Sequence, residues 1–145
     1  LFLSEKYNIE YEWLWETFKK DCAQMPVYEE SLNAILELRR HSYVTLITGN
    51  MDCFSRFTKS SLKLDNYFDE IVNSSDVGVL KTEHRGREFK RLANKYDVPI
   101  ENSFLIDDSK HVCDVFSSLG GKACKVSTRD DTRNELSTLM QLCAR

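Results

Sequence analysis

The stretch Phe104-Leu105-Ile106-Asp107-Asp108-Ser109-Lys110-His111-Val112-Cys113-Asp114-Val115-Phe116-Ser117-Ser118-Leu119-Gly120-Gly121 decides the fold. With Ser103 before it, the opening apolar run has the length of a buried strand, and it stops abruptly on two carboxylates. Val112, Val115, Phe116 and Leu119 then recur at helical spacing, and the paired glycines end that helix. A strand running straight into an amphipathic helix is the repeating unit of an α/β protein.

The same alternation extends in both directions. Upstream, Tyr43-Val44-Thr45-Leu46-Ile47-Thr48 reads as a strand buried on both faces and cut off by Gly49-Asn50. It follows a helix over about Tyr28–Arg40 whose inward positions are Leu32, Ile35 and Leu36. Phe54 and Phe57 suggest a further helix, Glu70-Ile71-Val72 a short strand, and Gly86–Tyr96 a long helix on Phe89, Leu92, Ala93 and Tyr96. Downstream, Ala123–Val126 reads as a last strand, and Thr132-Arg133-Asn134-Glu135 as a capping box opening a final helix. Nearest the start, Tyr11, Leu14, Trp15, Phe18 and Cys22 make one more helical stripe. The expected architecture is α/β: a Rossmann-like parallel sheet with helices on both faces.

Composition bounds the rest. The chain has 145 residues, 41% of them hydrophobic, which suits one packed domain and excludes a disordered chain. A formal net charge of -3 gives no global attraction to nucleic acid or to an anionic membrane, and no apolar run is long enough to span a bilayer. Five cysteines lie scattered without a C-x-x-C pair, the pattern of reduced thiols in a cytoplasmic protein.

Ligands of an open parallel sheet bind beyond the carboxyl ends of its strands, which singles out two places. At Thr48-Gly49-Asn50, a hydroxyl and a bare glycine turn could cradle an anion, or could simply turn strand into helix. At Asp107-Asp108, adjacent carboxylates repel each other, and a hard cation such as Mg²⁺ would relieve that repulsion. The alternative there is one carboxylate capping the next helix, a task Ser109 could also perform. Lys81 lies between the two places as a mobile point charge, able to reach a phosphate or a crowded carboxylate, or else a solvated surface residue.

Taken in order, strand-Thr-Gly, then Lys, then strand-Asp-Asp, this series resembles the haloacid-dehalogenase-like (HAD) superfamily of hydrolases. The matching stretches are "VTLITGN" at 44–50, "FDEIVNSSDVGVLKTE" at 68–83 and "FLIDDSKHVCDVFSSLGG" at 104–121. The resemblance implies a Mg²⁺-dependent phosphohydrolase acting on a small phosphorylated substrate, with no role for nucleic acid or a membrane. Thr48 would hydrogen-bond the phosphoryl group beside the Gly49 amide, and Lys81 would balance its charge. Asp107 and Asp108 would hold Mg²⁺, with Asp108 the direct ligand. Residues 1–25 would be the tail of a helical cap, and 26–145 the α/β core.

Two departures stand out. Val112 occupies a place where many relatives carry a polar or acidic residue. The family's first motif, an Asp-x-Asp after an apolar strand, occurs nowhere in the chain. In the family fold that strand lies between the one ending at Thr48 and the one ending at Asp107. Leaving it out would cost about 1–3 kcal/mol for each buried backbone group it strips of a partner. The expectation is therefore that this chain is the C-terminal portion of such an enzyme, its sheet completed by an upstream segment or a second chain. The alternative is a catalytically inactive binding or scaffolding module on the same fold.

Overall fold

The computed structural model describes residues 2–143; Leu1, Ala144 and Arg145, which fall within the domain limits above, lie outside the described residues. Two helices, α1 (Phe2–Tyr7) and α2 (Tyr11–Ala23), open the chain, and α3 (Glu29–Leu38) leads into β1 (Thr45–Thr48). A π-helical turn over Phe54–Thr58 continues into α4 (Lys59–Ser61), and β2 (Glu70–Asn73) follows. Next come α5 (Ser74–Val77), α6 (Glu83–Lys95), β3 (Phe104–Asp107), α7 (Lys110–Ser118), β4 (Lys122–Lys125) and α8 (Arg129–Cys143). The fold is α/β with every strand pair parallel.

The strands form two pairs rather than one sheet. Thr48 of β1 lies opposite Asn73 of β2, and Asp107 of β3 opposite Lys125 of β4. Among the described residues no strand joins β1 to β3. Both pairs nonetheless share one core: Phe89 and Phe116 meet edge to face at 5.0 Å, and Ile47, Leu105 and Ala123 pack against them with Val112. The carbonyls of Val44 and Ser103 accept from Asp69 and Lys122, so they face β2 and β4 respectively. Backbone groups alternate sides along a strand, so Thr45 and Ile47, like Phe104 and Ile106, turn theirs to the opposite edge. Burial on both faces is therefore not realised. Every residue of β1 is half-buried and Phe104 is exposed, because one edge of each strand has no strand beside it.

Register is fixed by side chains at the strand starts. Asp69 accepts from the Arg39 guanidinium through Oδ1 and from the Val44 amide through Oδ2, tying the end of α3 to the beginnings of β1 and β2. Arg39 also donates to the Asn66 carbonyl at 2.8 Å. One residue on, Glu70 accepts from Arg91 and Lys95 of α6, and Tyr96 stacks on Tyr43 at 4.4 Å.

Regular helix in α6 starts next to Gly86, as expected, while the start of α8 differs from expectation. The residues His84, Arg85 and Gly86 adopt left-handed angles (φ 50, 54 and 67), so regular helix begins only after them. A Cβ on buried Gly86 would sit 2.9 Å from the Leu119 side chain, which together with the positive φ demands glycine. At α8 the capping box is Thr128-Arg129-Asp130-Asp131 rather than Thr132–Glu135. Thr128 Oγ1 accepts from the Asp131 amide, and Asp131 Oδ2 accepts from the Ser127 and Thr128 amides. Those backbone donors hold the Asp131 carboxyl below its usual range. Near the start of the chain, α2 leans on the π-helical turn. Trp15 meets Phe57 edge-on at 6.0 Å, and Thr58 Oγ1 donates to the Cys22 carbonyl at 2.8 Å. No helix among the described residues is long and apolar enough to cross a membrane.

Candidate active site

Strand directions bring Thr48, Asn73 and Asp107 to the carboxyl ends of their strands. Immediately beyond β1, Asn50 Nδ2 donates to Thr48 Oγ1 at 2.6 Å, which leaves the threonine proton free to donate elsewhere. Gly49 is exposed, and a Cβ built on it meets no heavy atom within 4 Å. Its φ lies outside the left-handed range, so glycine contributes bareness here rather than unusual backbone geometry.

The turn is tied to the chain that follows β2. Ser74 Oγ donates to the Asn50 carbonyl at 3.3 Å, and Ser55 Oγ donates to Asp76 Oδ2 at 2.6 Å. From there the segment passes buried Val79, and Glu83 Oε2 accepts from the Leu80 amide at 2.9 Å, closing a tight turn around Lys81. Lys81 Nζ in turn reaches Asp107 Oδ2 at 2.5 Å. Hydrogen bonds thus tie Ser74 to the Thr48 turn and Lys81 to Asp107, and the chain over 74–81 joins the two strand pairs.

Lys81 is not the solvated lysine its sequence allowed: its side chain is 19% exposed and that of Asp107 only 7%. Both Asp107 oxygens are engaged, because Oδ1 accepts from the Ser109 amide at 2.8 Å. The Asp107 carbonyl also accepts from Val126 N, and the Cys113 thiol lies 3.8 Å from it. Burial pushes that thiol's pKa up and the nearby Asp107 charge adds to the effect, so Cys113 stays neutral. Ser109 caps α7, its hydroxyl accepting from the Val112 amide, which frees both aspartates from that duty. Asp108 is exposed at the start of the loop. Val112, the residue that departs from the family pattern, is buried in the core.

Among the described residues no three metal-ligating side chains converge. The donors present are the Asp107-Asp108 pair, and such a pair suits a Mg²⁺ ion, which commonly takes one or two protein carboxylates and fills its other positions with water and phosphate oxygens. No role for Asn73 or Ser55 was legible in the sequence, yet both brace the segment that leaves the Thr48 turn. Asn73 becomes visible only once β1 and β2 are paired in register, and no local pattern announces that pairing.

No family model matches the chain, and no curated protein matches it. Solved structures do. The chain is similar to a HAD family enzyme of Bacteroides thetaiotaomicron in its magnesium complex, with a TM-score of 0.63 and 21% identity over 72% of this chain. The complex of that enzyme with magnesium and inorganic phosphate superposes with a TM-score of 0.62 at 20% identity over 71% of this chain. This chain covers 55% and 54% of those two structures, about half their length. A dehalogenase with an intermediate complex matches over 99% of this chain and 69% of its own, at 14% identity and a TM-score of 0.71. The fold is the HAD-like one.

Proposed function

We propose that this chain, carrying the HAD-like fold, is the Thr48, Lys81, Asp107 and Asp108 portion of a Mg²⁺-dependent phosphohydrolase acting on a small phosphorylated substrate. The observation that carries the reading is the largely buried Lys81–Asp107 ion pair at the end of β3, joined by the chain over 74–81 to the hydrogen-bonded Thr48-Gly49-Asn50 turn. In this reading the turn after β1, the Lys81 ammonium and the carboxylates at the end of β3 serve one phosphoryl group. Solved HAD family enzymes that hold magnesium and inorganic phosphate share the fold, which supports the same ligands here.

In this reading Thr48 donates its hydroxyl proton to a phosphoryl oxygen while Asn50 fixes the rotamer, and the Gly49 amide faces the same oxygen. The Lys81 ammonium has three N–H groups. One is bound to Asp107, leaving two for the phosphoryl oxygens. Asp108, with Asp107 behind it, would hold Mg²⁺, which supplies positive charge where phosphoryl transfer develops negative charge. Preorganised donors of this kind account for most of the catalysis in such reactions.

The attacking carboxylate belongs to none of the described elements. We assign it to a further parallel strand seated between the open edges of β1 and β3, from an upstream segment or a second chain. One strand would then complete the hydrogen-bond ladder and bring the nucleophile beside Thr48 and Lys81.

The test is hydrolysis of a broad panel of phosphomonoesters by the full-length protein with Mg²⁺ present. Phosphate release that disappears in Thr48→Ala and Asp108→Ala is expected; no release from any member of the panel overturns the reading. The absence of an Asp-x-Asp motif favours a second reading, a non-catalytic binding module, which predicts phosphate binding without turnover.

A further inference from the structure

We propose that Asn73 is a positioning residue that holds the Thr48-Gly49-Asn50 turn in its anion-binding shape. The inference rests on reading that turn as a phosphate cradle and extends it to a residue no sequence motif marks.

Asn73 ends β2 directly opposite Thr48, and it is 1% exposed. Its amide nitrogen donates twice, to the Met51 carbonyl at 3.0 Å and to Ser55 Oγ at 3.1 Å. Both acceptors lie in the segment that leaves the turn. One side chain therefore fixes the exit of the turn at two points, while Ser74, its chain neighbour, holds Asn50.

The other end of the amide makes the case. Asn73 Oδ1 is buried with no hydrogen-bond partner, alone in this among the buried side-chain nitrogen and oxygen atoms of the described residues. Burying an unsatisfied carbonyl oxygen is unfavourable, and an apolar residue after Ile71-Val72 would avoid it. The cost is offset by what the nitrogen does. A Cβ on Gly49 would meet nothing within 4 Å, so that side of the turn is open, while Asn73 and Ser74 brace it from the end of β2. Donors must be fixed before the anion arrives if they are to bind it without a reorganisation penalty.

The experiment is calorimetric titration of the full-length protein with inorganic phosphate in the presence of Mg²⁺, for wild type, Thr48→Ala, Asn73→Ala and the double variant, with urea unfolding in parallel. Asn73→Ala should weaken phosphate binding about tenfold, the worth of one hydrogen bond. Combined with Thr48→Ala it should add little further loss, because both changes disable the same turn. If Asn73→Ala does not fold, Ser55→Ala removes one of the two acceptors and should weaken phosphate binding about threefold.

Each outcome decides. Phosphate affinity unchanged in Asn73→Ala, or a loss fully additive with that of Thr48→Ala, overturns the positioning role while leaving the cradle intact. If wild type binds no phosphate, or Thr48→Ala binds as wild type does, the cradle reading itself fails and the role of Asn73 fails with it.

Discussion

Lys81 and Asp107 meet at 2.5 Å, joining the segment after β2 to the end of β3. The contact is a largely buried ion pair that spans the two strand pairs, so it couples the integrity of the fold to the charge balance of the site. Removing one member leaves the other charged and desolvated, which is worse than losing both.

Lys81→Ala should accordingly lower stability by about 2 kcal/mol, the buried-pair penalty discounted for the partial exposure of the lysine. Urea unfolding measures this, and Lys81→Ala/Asp107→Asn should recover part of the loss. A lysine that served only the substrate would leave stability unchanged in the single variant.

Asp108 should behave in the opposite way. It is exposed, so Asp108→Ala should leave stability within about 0.5 kcal/mol. Its Mg²⁺ affinity should nevertheless fall at least about tenfold, since one carboxylate of two is gone. Calorimetric titration with MgCl₂ checks this, and unchanged affinity removes Asp108 from the metal site.

Gly121 immediately precedes β4 with the Phe116 ring beside it. A Cβ there would lie 2.2 Å from Phe116 Cε1, and that ring is 4% exposed in the middle of the core. Gly121→Ala should destabilise by about 2 kcal/mol, the cost of overpacking against a side chain with nowhere to move. A thermal melt matching wild type would mean that the core is looser there than its geometry requires.

Acid should weaken the protein through Glu88. This carboxylate is 3% exposed, and the Arg91 guanidinium donating to it depresses its pKa, with burial opposing and Arg87 assisting. A pKa lower in the folded than in the unfolded chain means that unfolding takes up protons in acid. The stabilisation is complete above the ordinary glutamate pKa of about 4.3 and drains away as pH falls through the folded value. Glu88→Gln should cost about 1 kcal/mol at neutral pH and flatten the acid limb of a pH–stability curve.

How far the sequence could be read follows from where information is local. The strands ending at Thr48 and Asp107 and the helices on Phe89 and Phe116 were legible because burial imposes a periodicity on neighbouring residues. The start of α8 was misplaced because two consecutive capping patterns, at Thr128 and Thr132, look alike until hydrogen bonds choose between them. The left-handed run at His84-Arg85-Gly86 carries only one glycine as its signal. Asn73 was invisible for a deeper reason, since its partners Met51 and Ser55 become neighbours only through strand pairing.

The uneven strand edges have a consequence for motion. Each parallel pair has its own hydrogen-bond ladder, although the two share one core, so their strands are protected one ladder at a time. Amide protons of Leu46 and Leu105 point into a ladder and should exchange with solvent slowly. Those of Ile47 and Ile106, one residue further along, point to the free edges and should exchange fast, a residue-by-residue alternation along each strand. Anything that seats a strand between β1 and β3 would erase that alternation and join the two ladders into one. Deuterium uptake at four backbone positions would then report completion of the sheet, and with it assembly of the proposed catalytic centre, without any substrate being turned over.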